Sequence, residues 1–218
     1  MPNQRSGIPR SLIAGLASGS VALGACGDSP TEPLRGLGFC QLVDFNPGFQ
    51  FTFFGTPYRS VFLNTNGGMT FGDGDDEYDP AAGDVIDPAI AVFWGDLDAG
   101  DTPDSEMRAN QMTYQACVDR FIVTYTQMQD HSVPTWNNTA TATLEVNGKI
   151  TIEYGAVLSE TVLMGVFDGT HTDDQYVTVS NGYSGYATNG TGTILFDSDG
   201  AGPPHAGELS NRTITFDP

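Results

Sequence analysis

From Phe49 onward, apolar and aromatic residues recur at every second position in short runs separated by clusters of Gly, Asn and Asp. A period of two is the mark of strands with one buried face, and the clusters mark turns. Phe49, Phe51 and Phe53 fall on one face of a first strand and Gln50 and Thr52 on the other, with Phe54 and Gly55 breaking the alternation. A second strand over 58–63 leads into Asn64, Asn66, Gly67 and Gly68. Asn-Gly predicts a type I′ hairpin turn, whose two central residues need positive φ, and 69–71 returns as the partner strand. The continuous apolar run 90–94 has the length of a buried strand and ends at Asp96 and Asp98.

Further along, 112–116 and 121–125 read as a hairpin across Val118, Asp119 and Arg120. Ala140, Ala142, Leu144 and Val146 alternate with polar residues, then turn at Asn147 and Gly148 into Ile150, Ile152 and Tyr154. Short strands are predicted over 162–167, 176–179, 193–196 and 213–216. With almost no helical periodicity, this spacing predicts an all-β domain over residues 39–218, an antiparallel β-sandwich or partly closed barrel.

The ordered set FFGTPYRSVFLNTNGGMTFG, IAVFWGDLD, RFIVTYTQM, NNTATATLEVNGKITIEYG and MGVFDG resembles the nidogen-like (NIDO) extracellular domain. The resemblance implies a β-rich module of matrix and cell-surface proteins, associated with adhesion rather than catalysis.

The N-terminus breaks the strand pattern. Arg5 and Arg10 precede an apolar, small-residue stretch over 12–23, the layout of a signal peptide over residues 1–25. LGAC, ending at Cys26, resembles the lipobox at which bacterial lipoprotein precursors are cut before a cysteine that is then acylated. The alternatives are an ordinary signal with a coincidental cysteine, or a short core helix. Residues 26–38, with Pro30 and Pro33 among polar residues, read as a lipidated cysteine and flexible tether. The expected location is the bacterial cell envelope, on an outer-membrane lipoprotein facing the periplasm or the cell surface, with the membrane as a partner through the anchor.

Charge narrows the partners. The chain carries 8 basic and 27 acidic residues for a net charge of -19, a field that repels nucleic acid. With Cys26 given to the anchor, Cys40 and Cys117 remain as an even pair, read as a disulfide in an exported protein; two unpaired buried thiols are the alternative.

Asp73, Asp75, Asp76, Glu77 and Asp79 make the densest acidic loop, and oxygen ligands of this kind suit calcium. The hand-shaped calcium loop is excluded, because Tyr78 stands where its glycine is required. A noncontiguous site would draw on Asp73, Asp75, Glu77, Asp96 and Asp98, making calcium the one candidate cofactor; a solvated acidic loop is the plainer reading. His131, His171 and His205 stand in polar surroundings without a metal-ligand spacing. Gly182, Tyr183, Ser184 and Gly185 fail as a nucleophile elbow because the second glycine comes one residue early. Tyr78, Trp136, Tyr183 and Tyr186 lie in turn-rich segments and are candidates for partner contact, local packing being the alternative; Trp94, inside an apolar run, reads as core. Asn137, Asn189 and Asn211 begin N-x-[ST] patterns that read as accidental beside a bacterial-type signal.

The expectation is therefore a non-catalytic surface lipoprotein presenting a β-domain to an extracellular protein or glycan. The alternative from another class is a secreted carbohydrate-active enzyme using an acidic pair.

Overall fold

The structure, a computed structural model, describes residues 26, 32–33, 40–78, 81–98, 112–170, 175–176, 180–184, 192–197 and 206–218. Two sheets face each other as a sandwich, which removes the partly closed barrel. The first runs in the order β1 (Glu32–Pro33), β9 (Met112–Ala116), β10 (Arg120–Asp130), β11 (Asn137–Glu145), β12 (Ile150–Tyr154), β17 (Thr213–Asp217), β15 (Gly182–Ser184). β8 (Leu97–Asp98) also pairs with β10. The second runs β14 (Gln175–Tyr176), β16 (Thr193–Asp197), β13 (Val162–Phe167), β7 (Ala89–Gly95), β6 (Gly68–Thr70), β5 (Ser60–Asn64), β2 (Cys40–Asp44). A separate hairpin joins β3 (Phe51–Phe53) to β4 (Thr56–Tyr58). Pairing is antiparallel throughout, except that β14 with β16 and β15 with β17 are parallel.

Alternation places the core as the sequence pattern requires. Phe121, Val123 and Tyr125 of β10 and Ala140, Ala142 and Leu144 of β11 are wholly buried, and their polar neighbours are not. β7 differs, because it is buried on both faces. Ile90, Val92 and Phe93 enter the main core, whereas Ala89, Ala91 and Trp94 belong to a second cluster with Val85, Leu163, Phe167 and Ile194. A bulge against β13, with one extra residue on β7, lets consecutive Val92 and Phe93 both enter the main core before alternation resumes at Trp94. β10 continues past Tyr125 through another bulge, with Gln127 at φ 53 and its N–H donating to Thr139 Oγ1 at 3.1 Å.

The turns depart from expectation. In both Asn-Gly hairpins only the glycine has positive φ, Gly67 at 92 and Gly148 at 89. Their N–H groups donate to Asn64 O and Glu145 O three residues back. These are turns followed by a left-handed glycine, not type I′. Val146 consequently leaves the strand and is 57% exposed. Positive φ at both central residues occurs instead at Phe54 (45) and Gly55 (77), between β3 and β4. The single strand expected over 58–63 is interrupted at Arg59, so its first residue pairs in this hairpin and the rest in the second sheet. Of the strand expected over 176–179, residues 177–179 lie outside the described residues.

Two buried phenols have opposite standing. Tyr154 Oη donates to Val92 O at 2.9 Å, tying the first sheet to the second, whereas Tyr125 Oη is buried with no hydrogen-bond partner among the described residues. Tyr154→Phe is therefore expected to cost about 1–3 kcal/mol in urea unfolding, and Tyr125→Phe to be neutral or to stabilise by up to about 1 kcal/mol. Equal losses from the two variants would contradict this assignment.

Candidate functional site: an acidic strap beside an open sheet edge

Between β6 and β7 the chain crosses the outer side of the second sheet. Thr70 Oγ1 donates to Asp73 O at 2.8 Å, Asn64 Nδ2 to Asp75 O at 2.6 Å, and Trp94 Nε1 to Glu77 O at 2.8 Å. Every second carbonyl is thus turned down onto a sheet side chain, and the acidic segment is a strap rather than a free loop. Beyond it, a short 3-10 helix at Ala82–Asp84 covers the second apolar cluster. Ala82 N–H donates to the buried Asp197 Oδ2 at 3.3 Å. Gly68 lies under the indole of Trp94, where an added Cβ would come within 2.6 Å of the ring. The anchoring roles of Asn64, Thr70 and Asp197 escaped sequence reasoning. The available signal was that a core Trp needs an acceptor for its N–H.

The strap's carboxylates crowd one another. Asp87 is raised from the usual carboxylate range by burial and then by the charges of Asp73 and Asp75. Asp75 is raised by burial, opposed by the Glu77 N–H that donates to its Oδ1 at 2.8 Å, and raised further by Glu77 and Asp76. A carboxyl that holds its proton more tightly folded than unfolded loses stability for the chain as pH rises from the ordinary value through the folded one. Asp75→Asn is therefore expected to raise the melting temperature at neutral pH, with the gain vanishing once pH falls below the ordinary value of 3.8. A gain that persists in acid would mean that charge is not its cause.

The expected calcium ligands belong to two segments of the chain. Asp73, Asp75 and Glu77 lie on the strap, while Asp96 and Asp98 lie at the corner where β7 passes into β8. Among the described residues no three His, Cys, Asp or Glu side chains form a group able to hold a metal ion. On the strap, the carbonyls of Asp75 and Glu77 accept from the sheet, and the Asp75 and Glu77 side chains accept from the N–H groups of Glu77 and Tyr78. Asp79 lies outside the described residues.

Of the aromatic candidates, Tyr78 is 58% exposed at the end of the strap. Trp136 is half-buried in the turn between β10 and β11. Tyr183 is half-buried, stacks on Phe216 at 5.4 Å, and its Oη accepts from Ser180 N–H at 2.8 Å. Tyr186 lies outside the described residues. Trp94 is fully buried, as its apolar setting predicts, and His131 is exposed. His171 and His205 lie outside the described residues. An open depression of about 430 Å³ on the outer face of the first sheet is lined by Asp119, Arg120, Ile122, Thr143 and Glu145.

The cysteines require a correction. The disulfide joins Cys26 to Cys117, with Cα atoms 5.2 Å apart, and Cys40 is free. A sulfur in a disulfide has no thiol to acylate, so the bridge and a lipid on Cys26 exclude each other in one molecule. Cys40 lies on the edge strand of the other sheet, where burial and the charges of Asp75 and Asp76 push its thiol up, opposed by a hydrogen bond with the Asp75 backbone. Part of the expected tether is also in the fold: Glu32 and Pro33 pair with Tyr114 and Thr113. The signal peptide and the remainder of 27–38 lie outside the described residues.

A two-sheet, predominantly antiparallel sandwich with one strapped face places the chain among the all-β sandwich folds. Residues 43–218 match the NIDO-related domain family, and the chain belongs to it. No curated protein and no solved structure matches it.

Proposed function

We propose that the chain is an exported, non-catalytic interaction module whose NIDO-related sandwich presents its strapped face to an extracellular protein or glycan. Support comes first from family membership over 43–218. The observation that carries the reading is the strap itself. A rigid sheet holds an acidic segment by its main chain and leaves Asp73, Asp76, Glu77 and Tyr78 exposed. The Cys26–Cys117 bridge agrees with an oxidising compartment. Attachment to the outer membrane through an acylated Cys26 belongs to this proposal only for molecules in which that bridge is absent.

The test is a glycan and extracellular-protein array run beside a glycoside hydrolysis screen on the same preparation. Saturable binding without turnover is expected, with binding lowered by Tyr78→Ala at unchanged melting temperature. Turnover without a stable partner would reject the reading in favour of a carbohydrate-active enzyme.

A further inference from the structure

β2 is the outermost strand of the second sheet, paired on one side with β5 from Cys40 opposite Asn64 to Asp44 opposite Ser60. Its other side presents main-chain N–H and C=O groups that no strand among the described residues takes up. Natural edges are guarded by Pro, Lys or a bulge, and the run CQLVD pairs in unbroken register with neither residue present. The period of two sets Cys40, Leu42 and Asp44 on the outer face. Leu42 is 51% exposed, and half-buried Phe62 stands opposite it. Asp75 and Asp76 of the strap flank the Cys40 end, and exposed Asp44 closes the other. None of these three carboxylates has a basic partner among the described residues.

We propose that this edge accepts an extended basic segment of a partner protein as an added strand, with an apolar residue beside Leu42 and Lys or Arg two positions to either side. The proposal rests on the interaction-module reading above and supplies the partner's chemistry. Main-chain hydrogen bonds give such a strand its affinity, and alternate side chains give it selectivity. A second copy of this chain would satisfy the main chain equally well. It would also set acid against acid in a protein of net charge -19, so charge complementarity selects a cation-bearing strand.

The experiment uses fluorescence anisotropy on the full chain with three short labelled peptides. One has Val at its centre and Lys two positions to each side, one has Glu in place of Lys, and one has the Lys pattern with Pro beside the Val. Only the first is expected to bind, more weakly at high salt. Leu42→Lys and Asp44→Lys should each weaken it about ten-fold at unchanged melting temperature. Glu153→Lys, exposed on the outer face of the other sheet, should leave it unchanged. Equal binding of the Pro peptide, insensitivity to Leu42→Lys, or no binding of the Lys peptide would overturn the proposal. So would concentration-dependent dimerisation abolished by Leu42→Lys, which would assign the edge to a second copy. Failure of the broader reading would appear separately, as turnover in the hydrolysis screen.

Discussion

Alkylation of the unreduced, denatured protein is expected to modify one cysteine, Cys40, and all three after reduction, because Cys26 and Cys117 are joined. An acylated molecule would instead carry the mass of the lipid and give two labelled cysteines after reduction, Cys40 and Cys117, with none or both labelled before it according to whether those two are joined. The bridge closes a sequence separation of 91 residues. In the chain-entropy model, opening a loop of that size costs about 4–5 kcal/mol. Cys117→Ala should lower the urea midpoint accordingly and expose β9 first, since β9 is held on one side by β1, whose two residues follow the bridge closely. Cys40→Ala should have a far smaller effect, because Cys40 is half-exposed and unbridged. Equal losses from the two variants would show that the bridge contributes no more than the packing of a single side chain.

The difference between the expected and observed pairing shows what a one-dimensional pattern carries. Periodicity records which side of a strand is buried. On that information β7, β13 and the hairpin of β11 and β12 were legible, and so was the burial of Trp94. Which cysteine meets Cys117 depends on where the N-terminal segment lies against the edge of a sheet. Two paired residues, Glu32 and Pro33, leave no periodic trace of that placement.

The turns failed for a related reason. Asn-Gly is compatible with a type I′ turn, but also with a turn in which only Gly67 or Gly148 takes positive φ, and register decides between them. Phe54 at φ 45 runs against its own preference, and its ring packs on Phe53 with centroids 4.6 Å apart. The strap was hidden by its composition. The side chains of five acidic residues within 73–79 carry the chemistry of a solvated or metal-binding loop. The structure holds the segment by its carbonyls, which any residue supplies.

The same geometry makes Trp94→Ala the substitution with the broadest expected consequence. The indole is wholly buried against Gly68, belongs to the outer cluster with Leu163, Phe167 and Ile194, and donates to Glu77 O. Truncation removes that volume from a site whose floor is a glycine in a hydrogen-bonded strand, so little collapse is available, and the cost should be about 3–5 kcal/mol. Trp94→Phe keeps most of the ring and loses the N–H, which leaves Glu77 O without its donor and should cost about 1–2 kcal/mol. The two variants separate packing from tethering: both should speed amide exchange across 75–78, and only Trp94→Ala should also speed it in β13. Unchanged exchange over 75–78 in Trp94→Phe would mean that the remaining anchors, Thr70 and Asn64, hold the strap without the indole, and the strapped face would then be organised from its first half alone.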